Sequence, residues 1–281
     1  MKAAEILGVD SVRFVEPGFA TLTDNTFNAV LASGTGDEGR LLVDEHEEPL
    51  SLAFHGPDGW LAGSFLCRNP SVALIELFEN VNGEIFQEDR AVWAGAVREY
   101  FSDALIAEVP PSMDDLNPNR HGILKKFVAS MWGESRNETC IDCCCGSGVG
   151  SAVLRELGFS PLSYDNDESL LSRGLSERRL LPEETMWIDA TIASKYIEPV
   201  PKGVAIMAGE FNGFNQDMWE RIIGELCSIT QEALVTVGTE KEAMLVQEWQ
   251  TAMDRSVRVK ENPADPLYDR WICHVMAKKK E

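Results

Sequence analysis

The segment from Cys140 to Gly150 reads CIDCCCGSGVG and is followed directly by SAVLRELG. A short apolar run ending in an acid, a turn of small residues and a helix-periodic segment are typical of a β-strand, a tight loop and an α-helix. Glycines let such a loop turn sharply and bring backbone N–H groups against a ligand, and the helix N-terminus adds unpaired donors. The sequence therefore predicts a nucleotide-like ligand at this loop.

The spacing of the glycines argues against a dinucleotide-binding oxidoreductase. That class requires G-x-G-x-x-G or G-x-G-x-x-A, but counting from Gly146 and Gly148 the third position falls on Ser151, and Gly150 is one residue early. Asp142 also stands inside the predicted strand, where a buried carboxylate needs hydrogen-bond partners. We expect the N–H groups of the loop and a cationic ligand to supply them. An NAD-dependent oxidoreductase is therefore a less favoured alternative.

Residues 141–148, IDCCCGSG, resemble the first motif of the class I S-adenosylmethionine-dependent methyltransferases. That motif is an apolar strand, an acid and a glycine-rich G-x-G turn, and Cys144 stands where the family often has glycine. The resemblance implies S-adenosyl-L-methionine as cofactor. It also implies a set of cofactor-binding residues in this motif: Asp142, Cys144, Gly146, Ser147 and Gly148.

Two further segments match the same family in the expected order. Residues 161–165, PLSYD, fit a second strand ending in the acid that takes the two ribose hydroxyls, which makes Asp165 the ribose candidate. Asn166 follows at the position that often lies against the adenine. A third strand runs into Asp189 and Ala190, which match the pair that binds the adenine edge.

The segment after the fourth predicted strand, AGEFNGFN at residues 208–215, is where family members usually address the methyl acceptor. The resemblance places Gly209 beside the cofactor. It makes Glu210 the candidate to orient or deprotonate the acceptor, with Asn212 donating a hydrogen bond. Methyl transfer is an in-line displacement, so a base is needed only for some acceptors. The alternative interpretation is a helix-capping turn with packed aromatics.

The remainder of the C-terminal half alternates between buried strands and amphipathic helices, as a doubly wound sheet requires. The chain then ends with two strand-like runs at residues 256–260 and 271–277, which a Pro-containing loop joins without a helix. Strands joined in this way pair antiparallel. The predicted fold is therefore α/β, a Rossmann-like doubly wound sheet with an antiparallel C-terminal strand pair, over residues 111–281.

The first part of the chain is organised differently and resembles no family. Short strand-like runs separated by turns are predicted, among them residues 20–24 and 27–33, and residues 91–106 read as a helix. We predict an α+β domain over residues 1–110, ending near two consecutive prolines. Its predicted roles are substrate selection, dimerisation or a lid over the cofactor.

A helix over residues 121–132 is predicted immediately before the first strand of the sheet. In the family a helix at this place commonly covers the cofactor. The resemblance therefore lets Asn119, Arg120, His121 and Lys125 reach the methionine carboxylate or the acceptor, where a cation is physically useful. A surface helix with solvated bases is the alternative.

Net charge and hydropathy limit the classes of partner that the sequence leads us to expect. The formal net charge of −21 produces a field that repels polyphosphates, and the compact basic run at residues 278–280 reads as a solvated tail, so nucleic acid is expected to be an unlikely partner. No apolar run approaches the roughly 18 residues of a spanning helix. We therefore expect an acidic, cytoplasmic protein without a membrane partner.

Four of the seven cysteines are Cys140, Cys143, Cys144 and Cys145. A C-x-x-C spacing can supply two thiolates to a metal or an iron–sulfur cluster. However, side chains on a strand alternate between its faces, and no second C-x-x-C or His pair occurs. The favoured interpretation is compact packing without a metal, with a redox or methyl-acceptor thiol as the alternative.

The hypothesis from the sequence is an S-adenosylmethionine-dependent methyltransferase acting on a small molecule or protein side chain, with a homodimer among the expected assemblies. The non-enzymatic alternative is a cofactor-binding scaffold or regulatory protein that keeps the nucleotide fold. The substitution of the family's glycine by Cys144 and the unusual segment at residues 208–215 keep that alternative open.

Overall fold

A computed structural model describes residues 2–34, 36–113, 117 and 119–277 of the chain. It divides into two compact units, the first formed by residues 1–107 with 182–186 and the second by residues 108–181 with 187–281. Residues 182–186, which the sequence prediction assigned to the C-terminal domain, thus belong to the first unit. The basic run at residues 278–280 lies outside the described residues.

The first unit is built on a five-stranded mixed sheet. Strands β2, β3 and β4 pair antiparallel in turn, β1 runs parallel to β4, and β2 runs parallel to β5, which gives the order β1-β4-β3-β2-β5. The elements are α1 (Lys2–Ile6), β1 (Val12–Phe14), a 3₁₀ turn (Phe19–Thr21), α2 (Thr26–Ser33), β2 (Glu38–Val43), β3 (Pro49–Gly56), β4 (Gly59–Ser64), α3 (Val72–Glu79), β5 (Asn82–Gln87) and α4 (Arg90–Glu108).

Two of the strands predicted in this unit are wrong. Residues 27–33 lie in helix α2 and residues 20–24 begin with a 3₁₀ turn. The side chain of Asp24 accepts hydrogen bonds from the Thr26 N–H and hydroxyl, both at 2.8 Å, which fixes the start of the helix. Asn28 and Leu31 are buried three residues apart on one helix face. This i, i+3 spacing suits a helix and not a strand.

The second unit alternates strands and helices over most of its length. The elements from residue 120 onward are α5 (Arg120–Trp132), β6 (Thr139–Cys143), α6 (Val149–Glu156), β7 (Ser160–Asp165), α7 (Glu168–Ser176), β8 (Thr185–Trp187), a 3₁₀ segment (Ala190–Lys195), β9 (Val200–Ala205), α8 (Gln216–Ser228), β10 (Thr230–Val237), α9 (Glu240–Ala252), β11 (Arg255–Glu261) and β12 (Trp271–Ala277). Of the three residues of β8, the division into units groups Trp187 with the second unit and the other two with the first.

The strand order of this sheet is β11-β12-β10-β9-β6-β7-β8. Strands β7, β6, β9 and β10 are parallel, whereas β12 is antiparallel to both β10 and β11. With β6 counted as the first strand, the order is 3-2-1-4-5-7-6, which differs from the 3-2-1-4-5-6 order of dinucleotide-binding folds by the inserted antiparallel strand. The predicted doubly wound sheet with an antiparallel C-terminal pair is confirmed.

The parallel strands pack against their helices through a continuous apolar cluster. Leu124 of α5, Val153 of α6 and Val204 of β9 are all buried in it. This packing fixes α5 and α6 on the sheet, so the residues at their N-termini hold defined positions near the carboxyl ends of the strands. Among the described residues no helix has the length and apolar character needed to cross a membrane.

Candidate functional site

A cavity of about 340 Å³ lies in the second unit, at the carboxyl ends of the parallel strands. Its walls include residues 144–147 after β6, Asp165 at the end of β7, residues 206–207 after β9, and Arg120 at the start of α5. Ligands of open α/β sheets bind in the crevice at these strand ends, where the strand order reverses. The volume lies at the lower end of the range for small-molecule sites.

The loop after β6 has three residues in left-handed backbone conformations. They are Cys144 at φ 53°, Gly146 at φ 53° and Gly148 at φ 83°. Glycine adopts this conformation at little cost, whereas a residue with a Cβ is strained in it. Cys144, which replaces the family's glycine, therefore keeps the backbone conformation that glycine would favour. A Cβ on Gly146 would meet nothing within 4 Å, so open space lies in front of its backbone.

Asp142 is buried beneath this loop with 1% of its surface exposed, and its carboxylate also lines the cavity. The hydroxyl of Ser151 donates to its Oδ2 at 2.6 Å, and the Ser151 backbone N–H also donates to the carboxylate. The hydroxyl of Ser163 lies 2.7 Å from that of Ser151. Burial raises the pKa of Asp142 to about 7, although the Ser151 hydrogen bond opposes the shift. Ser151 thus takes a role that we expected the N–H groups of the loop to fill.

Asp165 is held at the cavity by two backbone groups. Its Oδ2 accepts the Gly146 N–H at 2.8 Å, and its Oδ1 accepts the Asp167 N–H at 2.9 Å. Burial raises its pKa above the ordinary value despite these two hydrogen bonds. Each carboxylate oxygen can accept a further hydrogen bond. The Asp165 carboxylate is therefore fixed in position and still able to accept donors from a ligand.

The predicted adenine residues follow strands β7 and β8 but do not line the cavity. Asn166 and Asp189 are exposed, and the side chain of Asp189 accepts the Thr191 N–H at 2.8 Å. The carbonyl of Asn166 accepts the indole N–H of Trp187 at 3.1 Å. Ala190 is buried. Their contact with adenine stays a prediction.

The turn that contains Glu210 and Asn212 is held by its own hydrogen bonds. Asn212 Oδ1 accepts the Phe214 N–H at 2.9 Å, and the Asn215 amide donates to the Glu210 carbonyl at 2.8 Å. Neither Glu210, Asn212 nor Gly209 lines the cavity. The contacts are those of the alternative interpretation, a turn leading into helix α8. The catalytic roles of Glu210 and Asn212 and the cofactor role of Gly209 stay predictions.

A buried ion pair lies at the cavity, and Arg120 is the member of the pair that lines it. Arg120 Nη2 lies 3.2 Å from Asp269 Oδ2, and the guanidinium lies over the ring of Tyr268 with its carbon 4.9 Å from the ring centre. Arg120 Nη1 also lies 3.3 Å from the sulfur of Met207. Thr236 donates to Asp269 at 2.6 Å. Arg120 is thus held rigidly with its guanidinium at the cavity.

The other bases near the start of α5 do not join Arg120. Lys125 and His121 both contact the carboxylate of Glu156, at 2.8 and 3.3 Å. Tyr268 and Asp269 lie in the loop between β11 and β12, which the sequence identified only as a Pro-containing connection. No group of three or more His, Cys, Asp or Glu side chains suited to a metal ion occurs among the described residues.

The second unit has the Rossmann-like doubly wound sheet with an antiparallel C-terminal pair that the resemblance to the class I S-adenosylmethionine-dependent methyltransferases implies. No model of a protein family and no curated protein sequence matches the chain. Solved structures similar to it include an rRNA methylase from Streptococcus thermophilus, with 15% identity, 59% of this chain and 99% of that chain covered and a TM-score of 0.40.

Two other similar structures come from different organisms. A putative RNA methyltransferase from Pyrococcus horikoshii has 11% identity and a TM-score of 0.43, with 66% of this chain and 98% of that chain covered. Magnesium protoporphyrin IX methyltransferase from Synechocystis, crystallised with bound S-adenosylmethionine, has 12% identity and a TM-score of 0.42, with 67% and 83% covered.

One expectation about partners is wrong. Net charge led us to treat nucleic acid as an unlikely partner, but the similar structures include an rRNA methylase and a putative RNA methyltransferase. Net charge describes the summed field of the whole molecule, whereas a nucleic acid contacts one local surface. The charge of −21 therefore does not exclude a nucleic acid substrate.

Proposed function

We propose that the second unit binds S-adenosylmethionine and transfers its methyl group to an acceptor. The observation that carries the proposal is the Asp165 carboxylate. The Gly146 N–H fixes it at the cavity, and its oxygens can still accept further hydrogen bonds. A ribose presents two neighbouring hydroxyl donors, and a carboxylate with two fixed oxygens can take both.

The charges around the cavity suit the ends of this cofactor. Asp142 and Asp165 form an acidic wall, and Arg120 stands among the lining residues that the structure describes as a buried cation. S-adenosylmethionine carries a sulfonium, an ammonium and a carboxylate. Arg120 would take the carboxylate and Asp165 the ribose. Asp142 would favour the two cationic groups in its ionised form, which a nearby positive charge stabilises. We propose that Asn166, Asp189 and Ala190 contact the adenine.

When bound, the cofactor supplies an electrophilic methyl group on a sulfonium. The task of the protein is then to align donor and acceptor and to exclude water, which is worth several kcal/mol where the geometry is fixed. Met207 and Tyr268 give the cavity an apolar side next to Arg120. Glu210, which follows β9, is the proposed base where the acceptor is an amine or a hydroxyl.

For the acceptor we propose a small molecule or a protein side chain, with the first unit selecting it or joining two copies of the chain. A labelled-methyl screen separates the candidates, because extract fractions enriched in metabolites, protein or RNA are assayed side by side. Label confined to RNA would contradict the proposed acceptor class but not the methyl transfer. Label in no fraction would favour a cofactor-binding scaffold without activity.

Calorimetric titration with S-adenosylhomocysteine, with NAD as comparison, tests cofactor binding. Asp165→Ala should weaken binding of S-adenosylhomocysteine by about 1 to 3 kcal/mol, because hydrogen bonds to a charged group are lost. Asp167→Ala is the matched control, since its carboxylate caps α7 through Ser169 and Leu170 while its backbone N–H still supports Asp165. Equal affinity of wild type and Asp165→Ala, or tighter binding of NAD, would contradict the proposal.

A further inference from the structure

Two thiols lie side by side where strand β6 meets the loop that follows it. The sulfurs of Cys143 and Cys144 are 3.8 Å apart. Cys143 is buried in the sheet, whereas Cys144 is half-buried and lines the cavity. The third cysteine of the run points elsewhere, because the Cys145 sulfur lies 3.7 Å from the Gly146 carbonyl. The methyltransferase assignment gives this thiol pair no role.

The backbone between the two thiols is already unusual. Cys144 has φ 53°, a conformation that an L-residue with a side chain adopts at a cost of about 1 to 2 kcal/mol. Adjacent α-carbons are about 3.8 Å apart across a trans peptide, which is below the usual range for disulfide-bonded residues. A bond between neighbouring cysteines is therefore strained, and strained disulfides are the readily reduced, regulatory ones.

We propose that Cys143 and Cys144 are a redox modification site, at which a reversible vicinal disulfide weakens binding of the cofactor. The inference rests on the proposed function for the cofactor and adds its regulation. To form the bond, the sulfurs must move from 3.8 Å to about 2 Å apart, so the peptide between them must rotate.

The rotation has a direct path to the ligand groups. Two residues beyond Cys144, the Gly146 N–H donates to Asp165 Oδ2 at 2.8 Å. Cys144 itself forms part of the cavity wall. A shift of this short loop therefore displaces the N–H that fixes the Asp165 carboxylate, the proposed ribose ligand, and changes the shape of the cavity wall.

A hydroperoxide is a sufficient oxidant, and the reaction balances. The sulfur of one thiol attacks a peroxide oxygen, the O–O bond breaks, and with hydrogen peroxide one water leaves with the thiol proton on it, giving a sulfenic acid. The second thiol then attacks the sulfenic sulfur, the S–O bond breaks, and a second water leaves. The two thiols lose two electrons and two protons, and one hydrogen peroxide becomes two waters.

The surroundings of the thiols make this site slow to oxidise. The hydrogen bond with Cys143, burial and the nearby carboxylates raise the pKa of Cys144 well above the ordinary thiol value. Since the thiolate is the reactive form, little of it is present at neutral pH. Oxidation should therefore be faster at pH 8.5 than at pH 7. Bound cofactor should shift the equilibrium between dithiol and disulfide toward the dithiol by the same factor by which the disulfide weakens binding, because linkage of equilibria is reciprocal.

The test uses the full chain in reduced form and after treatment with hydrogen peroxide at pH 8.5. The free thiols are then alkylated and the peptides are mapped by mass. The peptide that contains Cys143 and Cys144 should be unalkylated at both residues and lighter by two hydrogens, as a disulfide between them requires. Calorimetry should show at least tenfold weaker binding of S-adenosylhomocysteine to the oxidised protein, and dithiothreitol should restore it. Both measurements are made on the same samples.

Cys143→Ala removes one thiol from the pair without touching the cavity. We expect it to bind S-adenosylhomocysteine as the reduced wild type does and to lose no affinity on oxidation. Cys140→Ala is the matched control, because Cys140 is a buried cysteine of the same strand and its variant should keep the full response. Cys143→Ser provides a second variant where the alanine substitution impairs folding.

The outcomes are distinct. No bond between the two residues, a bond to Cys145 instead, or a bond that leaves affinity unchanged would each overturn the inference while the proposed function stands. Loss of affinity on oxidation in Cys143→Ala would overturn it as well. If the reduced wild type does not bind S-adenosylhomocysteine, the proposed function fails, and the regulation of binding fails with it.

Discussion

The buried carboxyl of Asp142 makes the stability of the second unit depend on pH. Asp142 is 1% exposed, and burial raises its pKa from an ordinary 3.8 to about 7. In the unfolded chain the same carboxyl releases its proton near the ordinary value. Between these two pH values the native state holds a proton that the unfolded state has lost. Stability from this group is therefore full below about pH 4 and is lost as pH rises through 7.

The size of the effect follows from the two pKa values. At about 1.4 kcal/mol per pKa unit, the interval from 3.8 to about 7 corresponds to about 4 kcal/mol of unfolding free energy. Asp142→Asn keeps the shape of the side chain and does not titrate. The variant should therefore match the wild type near pH 4 and become more stable than it by up to about 4 kcal/mol at pH 8.

Urea unfolding of both proteins between pH 4 and pH 8 measures this difference. Because the chain has two units, hydrogen exchange of the β6 peptide should accompany it and report on the second unit alone. Asp165 and Asp269 also have raised pKa values, but both are present in wild type and variant, so their contributions largely cancel.

Asp167→Asn is the control with the opposite sign. Hydrogen bonds from Ser169 lower the pKa of Asp167, so its contribution is present above its ordinary pKa and lost only as pH falls through the folded one. Its stability difference from wild type should be flat between pH 5 and pH 8. A flat difference for Asp142→Asn over the same interval would refute the argument, because it would mean that the buried carboxyl does not titrate there.

Substitutions at three other positions test the site. Cys144→Gly should stabilise the protein by about 1 kcal/mol in urea unfolding, since glycine accepts φ 53°, whereas Cys144→Ala should bring no such gain. Gly150→Ala should cost about 1 to 3 kcal/mol, because its Cβ would lie 2.7 Å from the Asp142 carboxylate; an unchanged midpoint would contradict this contact. Arg120→Met should destabilise by about 3 to 5 kcal/mol by leaving Asp269 buried without its cation, and Arg120→Lys by less.

The sequence predicted the second unit well because its signals are local. Each βα step carries a buried strand, an acid or glycine at the strand end and a periodic helix, so the elements from residue 120 onward follow the predicted order. In the first unit the run at residues 27–33 is short and apolar, and periodicity does not separate a strand from a buried helix at that length. There the cap from Asp24 and the burial of Leu31 decided the outcome.

The cluster of Arg120, Tyr268 and Asp269 could be predicted only in part. Arg120 is the first residue of helix α5, and the resemblance made it a candidate to contact the methionine carboxylate or the acceptor. Tyr268 and Asp269 lie in a loop between antiparallel strands. Tyr268 lines the cavity, and its neighbour Asp269 accepts a hydrogen bond from Thr236 on β10 and pairs with Arg120 on α5. The contact of Asp269 with Thr236 and Arg120 depends on three elements that are distant in sequence, so no local sequence pattern predicts it.

The two departures from the dinucleotide-binding pattern have one physical cause. Ser151 occupies the position where that pattern needs glycine or alanine, and it is the residue whose hydroxyl satisfies Asp142 at 2.6 Å. Gly150 stands one residue early because any Cβ there would collide with the same carboxylate. A carboxylate inside the first strand thus requires a hydroxyl and a glycine on the first turn of the following helix. The acid, the early glycine and the serine therefore act together. A variant that replaces only one of them should have a lower free energy of unfolding, measured with urea, than a variant that replaces all three.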